Sequence, residues 1–145
     1  MEEKYESLKL SKQLCFPLYA CSREMIKRCR AGLDALGLTY TQYIVMLVIW
    51  DEGTTSVRDL GRRLYLDSGT LTPVLKTLEQ QPLITRARSK QDERVLLVTA
   101  TAKGVALREE ALAQQPDMAL NTGLSAEEEA QLAELLCKVL THEQK

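Results

Sequence analysis

Ser56-Val-Arg-Asp-Leu-Gly-Arg-Arg-Leu64, followed after Tyr65-Leu66 by Asp67-Ser-Gly-Thr-Leu-Thr-Pro-Val-Leu-Lys-Thr-Leu-Glu-Gln80, is the stretch that decides the fold. Ser56 is placed to cap a short helix through Leu64, with Asp59 in the first turn, where a negative charge suits the helix dipole. Asp67 or Ser68 caps a second helix to about Gln80, with Leu71, Val74, Leu75 and Leu78 as its inward face. Two short capped helices across a tight connection fit a helix-turn-helix.

Downstream of Pro82 the apolar period changes from 3.6 to 2. Leu83-Ile-Thr-Arg-Ala-Arg88 and Val95-Leu-Leu-Val-Thr-Ala100 are β-prone, and the polar Ser-Lys-Gln-Asp-Glu-Arg94 between them makes the pair a hairpin. Helix, helix, then a hairpin with a charged tip is the order of a winged helix-turn-helix. The expected fold class is therefore mainly α with a small β-hairpin wing, with the DNA-binding lobe spanning about 54–100.

Upstream, Leu8, Leu14, Cys15, Leu18, Tyr19, Met25, Ile26 and Cys29 form an apolar stripe predicting a helix from about 7 to 31. Pro17 should kink that helix or mark a new first turn, and Gly32 and Gly37 punctuate a connection. Thr39-Tyr-Thr-Gln42 has capping-box form ahead of the almost wholly apolar Tyr43 to Trp50, a deeply buried helix that Asp51-Glu-Gly-Thr-Thr55 ends. Beyond the hairpin, helices are expected over about 103–120 and 125–142. The last opens with the capping box Ser125-Ala-Glu-Glu128 and carries Leu132, Leu135, Leu136, Val139 and Leu140 along one seam. These terminal helices have wide apolar faces while the middle supplies its own core. A homodimer held by the two ends (about 7–38 and 103–142) is the expected solution for one 145-residue domain.

Net charge is −1, which alone argues against a polyanionic partner, but the distribution is uneven. Residues 54–94 carry eight positive and five negative side chains, whereas residues 105–145 carry three and eight. The basic excess thus falls on the middle. Apolar content of 45% excludes disorder, and the acidic start Met1-Glu-Glu-Lys-Tyr-Glu6 lacks the apolar core of a signal peptide. A cytoplasmic protein with no membrane contact is expected, its four cysteines reduced.

In a winged helix-turn-helix the second short helix enters the major groove by its N-terminal residues. Ser68, Gly69, Thr70 and Thr72 are small enough for close approach to phosphates or base edges, with Lys76 a turn further on. Capping accounts for the serine equally well. At the hairpin tip, Arg86, Arg88, Lys90 and Arg94 are candidates for a neighbouring groove or phosphates. Asp92 is expected to hold Arg94 by a charge-assisted hydrogen bond; a solvated tip with an incidental pair is the plainer alternative.

Segment 56–94, with Leu64-Tyr-Leu-Asp-Ser-Gly-Thr-Leu-Thr-Pro-Val-Leu-Lys76 and Asp92-Glu-Arg94, resembles the MarR family of dimeric winged-helix regulators. Gln13-Leu-Cys-Phe-Pro-Leu-Tyr-Ala20 and Leu38-Thr-Tyr-Thr-Gln-Tyr43 are similar to its organic hydroperoxide resistance branch, the likeness running from about 7 to 112. The resemblance implies that Cys15 is the peroxide-reactive thiol and that Tyr40 donates to Cys15 of the opposite subunit. Tyr19, one helical turn from Cys15, is a second candidate donor. The chemistry needs a thiolate, which attacks the peroxide oxygen and becomes a sulfenic acid.

Position 29 departs from the pattern: where the family has another tyrosine, this chain has Cys29. Fourteen positions along one helix put Cys15 and Cys29 about 21 Å apart, so no disulfide forms between them within one helix. Across a dimer, Cys29 is a possible resolving thiol for Cys15; a mixed disulfide with a small cellular thiol is the competing outcome. Cys21 receives no functional role, Cys137 on the apolar seam of the last helix is expected to be core, and no pair of cysteines has ligand spacing within a helix. No metal and no cofactor are expected, although a thiophilic-metal site shared between subunits stays open.

The expected function is a non-enzymatic repressor that binds a pseudo-palindromic double-stranded DNA operator when reduced and is released when Cys15 is oxidised by an organic hydroperoxide or related oxidant. The alternatives are release by a lipophilic small ligand, and sensing of a thiophilic metal or electrophile.

Overall fold

The computed structural model describes residues 2–118 and 121–142. Its elements are α1 (Cys15–Leu36), α2 (Tyr40–Glu52), β1 (Thr54–Ser56), α3 (Val57–Leu64), α4 (Ser68–Gln80), β2 (Ile84–Arg88), β3 (Leu96–Ala100), α5 (Ala102–Met118) and α6 (Ala126–Thr141). Residues 119 and 120, where α5 was expected to end, lie outside the described residues.

Local capping sets most of these boundaries. The Thr39 hydroxyl accepts from Gln42 N at 3.2 Å while Gln42 Oε1 accepts from Thr39 N at 3.0 Å, closing a reciprocal box at the start of α2. Ser125 and Glu128 repeat it at α6. Ser56 caps α3 through Asp59 N at 3.0 Å, and Asp67, not Ser68, caps α4 through Thr70 N at 2.7 Å.

The first helix differs from expectation at both ends. It begins at Cys15, preceded by two 3-10 turns, Glu2–Leu8 and Leu10–Lys12. Pro17 thus falls in the first turn, where a missing N–H removes no intrahelical bond. The helix continues past Cys29 and buries Gly32 inside it. It stops only at Gly37, whose φ of 69° is the left-handed cap that glycine adopts without strain.

Thr54–Ser56 is a strand that the periodicity did not reveal. It pairs antiparallel with β3 (Thr54↔Thr99, Ser56↔Leu97), and β2 pairs with the other edge (Ile84↔Ala100, Arg88↔Leu96). The sheet order is β1-β3-β2, so the central strand places Val98 in the core with no exposure. Beside Val98 lie Met46, Ile49, Leu60, Leu71, Leu75, Leu78 and Ile84, all fully buried.

Two close approaches lock the core to its neighbours. A Cβ on Gly61 of α3 would stand 2.7 Å from the Leu66 carbonyl oxygen, so the turn into α4 can be this tight only with glycine there. On Gly104 of α5 it would stand 2.1 Å from the Leu83 carbonyl oxygen. The Gly104 carbonyl accepts from Trp50 Nε1 at 2.8 Å, so α2, α5 and the start of β2 meet there.

The ends contrast with this core. Leu8 is 73% exposed, Leu14, Leu135 and Val139 are also exposed, and no residue of α6 is buried. Among the described residues no single helix is long and apolar enough to cross a membrane; α1 and α2 together pass that test only across a 68° bend.

Candidate nucleic-acid interface and thiol site

The sequence of α4 sorts into two faces. Leu71, Leu75 and Leu78 are buried, while Ser68, Gly69, Thr70, Thr72 and Lys76 are exposed along the opposite side. Because Asp67 does the capping, Ser68 is the first residue inside the helix and is exposed. The Asp67 carboxyl is held below the usual range by its hydrogen bonds with Thr70. Thr72 Oγ1 donates to the Ser68 carbonyl at 2.7 Å, which spends its proton inside the helix and turns its lone pairs outward as acceptors.

At the wing, Lys90 is exposed in the turn and Arg88 at the end of β2. Ser89 Oγ accepts from Gln91 N and Asp92 N, so the turn is ordered by its own side chain. Asp92 Oδ1 accepts from Arg94 Nε at 3.1 Å, and Oδ2 accepts from Nη2 at 3.2 Å. This is the fork-shaped pair expected from the sequence. It lowers the Asp92 carboxyl and aims a guanidinium that is still 90% exposed. Arg86 sits elsewhere than expected. It lies in mid-strand opposite Val98, not at the tip, and its Nη2 is 3.1 Å from Glu79 Oε1 of α4.

Arg58 and Arg62 of α3 are exposed and were not singled out from the sequence. Both line an open groove with Tyr65 and Ser68 between α3 and α4, and both line a second groove that reaches Arg94 on the wing. Arg58 and Arg62 are four apart on the face opposite buried Leu60, a spacing that was visible in the sequence. Arg63, their neighbour, is taken up by Asp51, at 2.9 Å, and Glu52.

The thiols divide into two places. Cys15, the first residue of α1, is exposed, and Tyr19 is exposed one turn away. Arg23 stacks its guanidinium 5.4 Å from the Tyr19 ring centroid and donates to the phenol oxygen at 3.4 Å. That bond occupies the oxygen as an acceptor and leaves its proton to be donated elsewhere.

At the other end of α1, Cys29 is 7% exposed and Tyr40 opens α2 beside it. Burial, then the Cys29 thiol, then Tyr43 raise the Tyr40 phenol above its ordinary pKa, so it remains a hydrogen-bond donor at neutral pH. The continuous helix separates the two places: fourteen residues at about 1.5 Å each put Cys15 about 21 Å from Cys29. Within one chain, Cys15 therefore has Tyr19 one helical turn away, while Cys29, with Tyr40 beside it, lies toward the far end of the helix. Cys21 is exposed, and so is Cys137, which was expected in the core, because the seam of α6 has no buried residue. Among the described residues, no three His, Cys, Asp or Glu side chains are grouped as a metal would require.

A helix-turn-helix with an ordered, cationic wing defines the class as a winged-helix regulator. The chain belongs to the MarR-like family described as transcriptional regulator SarA/Rot, which matches residues 28–111. The chain is 53% identical over 112 residues to the organic hydroperoxide resistance transcriptional regulator of Bacillus subtilis (strain 168), covering 77% of this chain and 76% of that one. It is 48% identical over 99 residues to the HTH-type transcriptional regulator SarZ of Staphylococcus epidermidis, covering 68% and 67%. Among solved structures, reduced AbfR bound to DNA, a Staphylococcus epidermidis protein, superposes with a TM-score of 0.79 at 35% identity, over 96% of this chain and 97% of that one. The family and these relatives are transcriptional regulators.

Proposed function

We propose that this chain is a cytoplasmic, homodimeric, thiol-based repressor, without enzymatic turnover. In its reduced state it binds a pseudo-palindromic operator. The recognition helices, through Ser68, Gly69, Thr70, Thr72 and Lys76, enter successive major grooves. Arg88, Lys90 and Arg94 of the wing, Arg94 aimed by Asp92, reach the flanking groove or phosphates, and Arg58 and Arg62 face the backbone between them.

The observation that carries the redox reading is Cys15 itself. It is an exposed thiol on an apolar surface, one turn from a tyrosine whose oxygen is already engaged by Arg23, in a chain 53% identical to an organic hydroperoxide resistance regulator. The Cys15 thiolate attacks the terminal peroxide oxygen and the O–O bond breaks. Cys15 becomes a sulfenic acid and the departing alkoxide takes a proton to become an alcohol. By the family resemblance, Tyr40 of one chain donates to Cys15 of the other. Oxidation removes the thiolate that accepts those bonds, the first helices repack, and the spacing of the recognition helices changes. Losing a few contacts worth about 1–3 kcal/mol each lowers affinity by orders of magnitude.

Cys15→Ser is expected to keep operator binding in a gel shift and to lose release by cumene hydroperoxide. Normal release by that variant would remove Cys15 from the mechanism. Non-reducing electrophoresis of the oxidised wild type then separates the two fates of the sulfenic acid: a crosslinked dimer supports resolution by Cys29 of the other subunit, and a monomer carrying an adduct mass supports a mixed disulfide.

A further inference from the structure

Arg86 has a feature that the wing cations lack: its side chain is 23% exposed, against 90% for Arg94. Strand alternation explains this. Residues 84, 86 and 88 project to one face of the sheet, and Ile84 on that face is almost fully buried. Arg86 is therefore directed along the flank of α4 and not outward with Thr85 and Ala87. There it meets Glu79, with Nη2 to Oε1 at 3.1 Å and Nε to Oε2 at 3.4 Å, the two-point geometry of a guanidinium on a carboxylate.

Glu79 is an unusual choice where it stands. It lies in the last turn of α4, whose partial negative end disfavours a carboxylate. Arg86 reverses that: its hydrogen bonds hold the Glu79 carboxyl below the usual range. The adjoining backbone is secured as well, since Leu83 N donates to the Leu78 carbonyl at 3.0 Å and Lys103 Nζ to the Gln81 carbonyl at 3.2 Å. Those bonds fix the root of the wing. The Glu79–Arg86 pair, by contrast, joins the recognition helix to the middle of β2 through an ion pair.

We propose that Glu79 and Arg86 form a strut that sets the angle between recognition helix and wing, making both positioning residues for operator recognition and neither a DNA ligand. The proposal rests on the operator-binding reading above. If both elements must enter their grooves together, loosening the strut costs specific affinity and leaves attraction for any duplex unchanged.

The test uses the reduced full chain, an operator selected in vitro from a random 30-base-pair library, and a random duplex, titrated by fluorescence anisotropy across a salt series. Failure of the wild type to select any sequence would defeat the operator-binding reading, separately from the strut. Given an operator, Glu79→Gln and Arg86→Gln are each expected to weaken it about tenfold and leave the random duplex unchanged. The double variant should be no weaker than the worse single variant, and the slope of log K against log salt should stay that of the wild type. The Glu79→Arg/Arg86→Glu exchange should recover most of the affinity, which also answers the objection that the single variants merely unfold.

A phosphate-binding Arg86 predicts the reverse. Arg86→Gln would lower the salt slope by about one, and Glu79→Gln, which removes a negative charge near DNA, would tighten binding. Either result overturns the strut.

Discussion

Leu75 of α4 and Leu135 of α6 both lie on the apolar face of an amphipathic helix, yet the first is 1% exposed and the second 59%. The difference is in what each chain segment is given to pack on. The apolar faces of the lobe at 54–100 are covered within the chain, because α3, α4 and the sheet pack on α2, and Leu33 and Leu36 of α1 and Leu107 of α5 complete the same core. Helix α6 and the first turn of α1 have the same kind of stripe, and among the described residues none of their apolar side chains is buried. A helix is stabilised chiefly by burying such a face, so the lobe helices are satisfied within the chain whereas the seam of α6 is left exposed.

The comparison is broken most directly from the lobe side. Leu75→Ala should cost about 2–5 kcal/mol in urea unfolding followed by circular dichroism, as buried leucine truncations do. A loss below about 1 kcal/mol would mean that the lobe core is looser than its burial indicates. Next in size is the joint between the regions. Gly104→Ala forces a methyl group against the Leu83 carbonyl and should cost about 1–3 kcal/mol, seen as a lowered thermal midpoint. Unchanged stability there would show that α5 can slide away from the lobe.

The ends are tested by dilution. If two copies cover each other's terminal helices, apparent stability falls by about 1.4 kcal/mol for each tenfold dilution. Leu135→Asp with Val139→Asp should abolish that dependence and give a monomer in sedimentation velocity, with the lobe's circular dichroism retained. A wild type whose midpoint ignores concentration would sink the dimer. Smaller again is the α3 cap: Ser56→Ala is expected to cost about 1 kcal/mol in the same unfolding assay.

The last effect is one of pH. Asp67, Glu79 and Asp92 in the lobe and Glu128 in α6 are all held below ordinary carboxyl values by hydrogen bonds, from Thr70, Arg86, Arg94 and Ser125 respectively. Lowered folded values contribute stability that is present above the unfolded pKa of about 4 and is lost as pH falls through the folded values. Thermal midpoints should thus be level from about pH 7 to 5 and fall below about pH 4. Asp67→Asn should make that fall shallower, and an identical acid profile would show that the Asp67 cap contributes nothing to it.

Much of the fold was legible before the structure. Thr39 with Gln42, Ser56 with Asp59 and Ser125 with Glu128 each act over three residues, so sequence spacing alone announces them. The buried leucines of α4 follow from the same local periodicity. Thr54–Ser56 was illegible because three polar residues have no stripe, and they become a strand only where β3 offers an edge. Helix α1 was placed too early because the stripe of Leu8 and Leu14 continues the helical period through 3-10 turns. For the site, the exposed face of α4 and the Asp92–Arg94 pair were readable, being local. Arg86 was misplaced because its partner is on another element, and Arg58 and Arg62 were overlooked although their spacing was available.

By itself, then, the sequence determined the order of helices, the recognition helix with its two faces, the charged wing and the presence of a cysteine in a block that resembles a peroxide sensor's. The tertiary structure decided the third strand, the commitment of Arg86 to Glu79, and the sorting of the thiols, with Cys15 exposed and Cys29 buried beside Tyr40. The physical reason is range. Caps and periodic faces are interactions over three or four residues, whereas strand edges, ion-pair partners and burial depend on which distant elements the folded chain brings together.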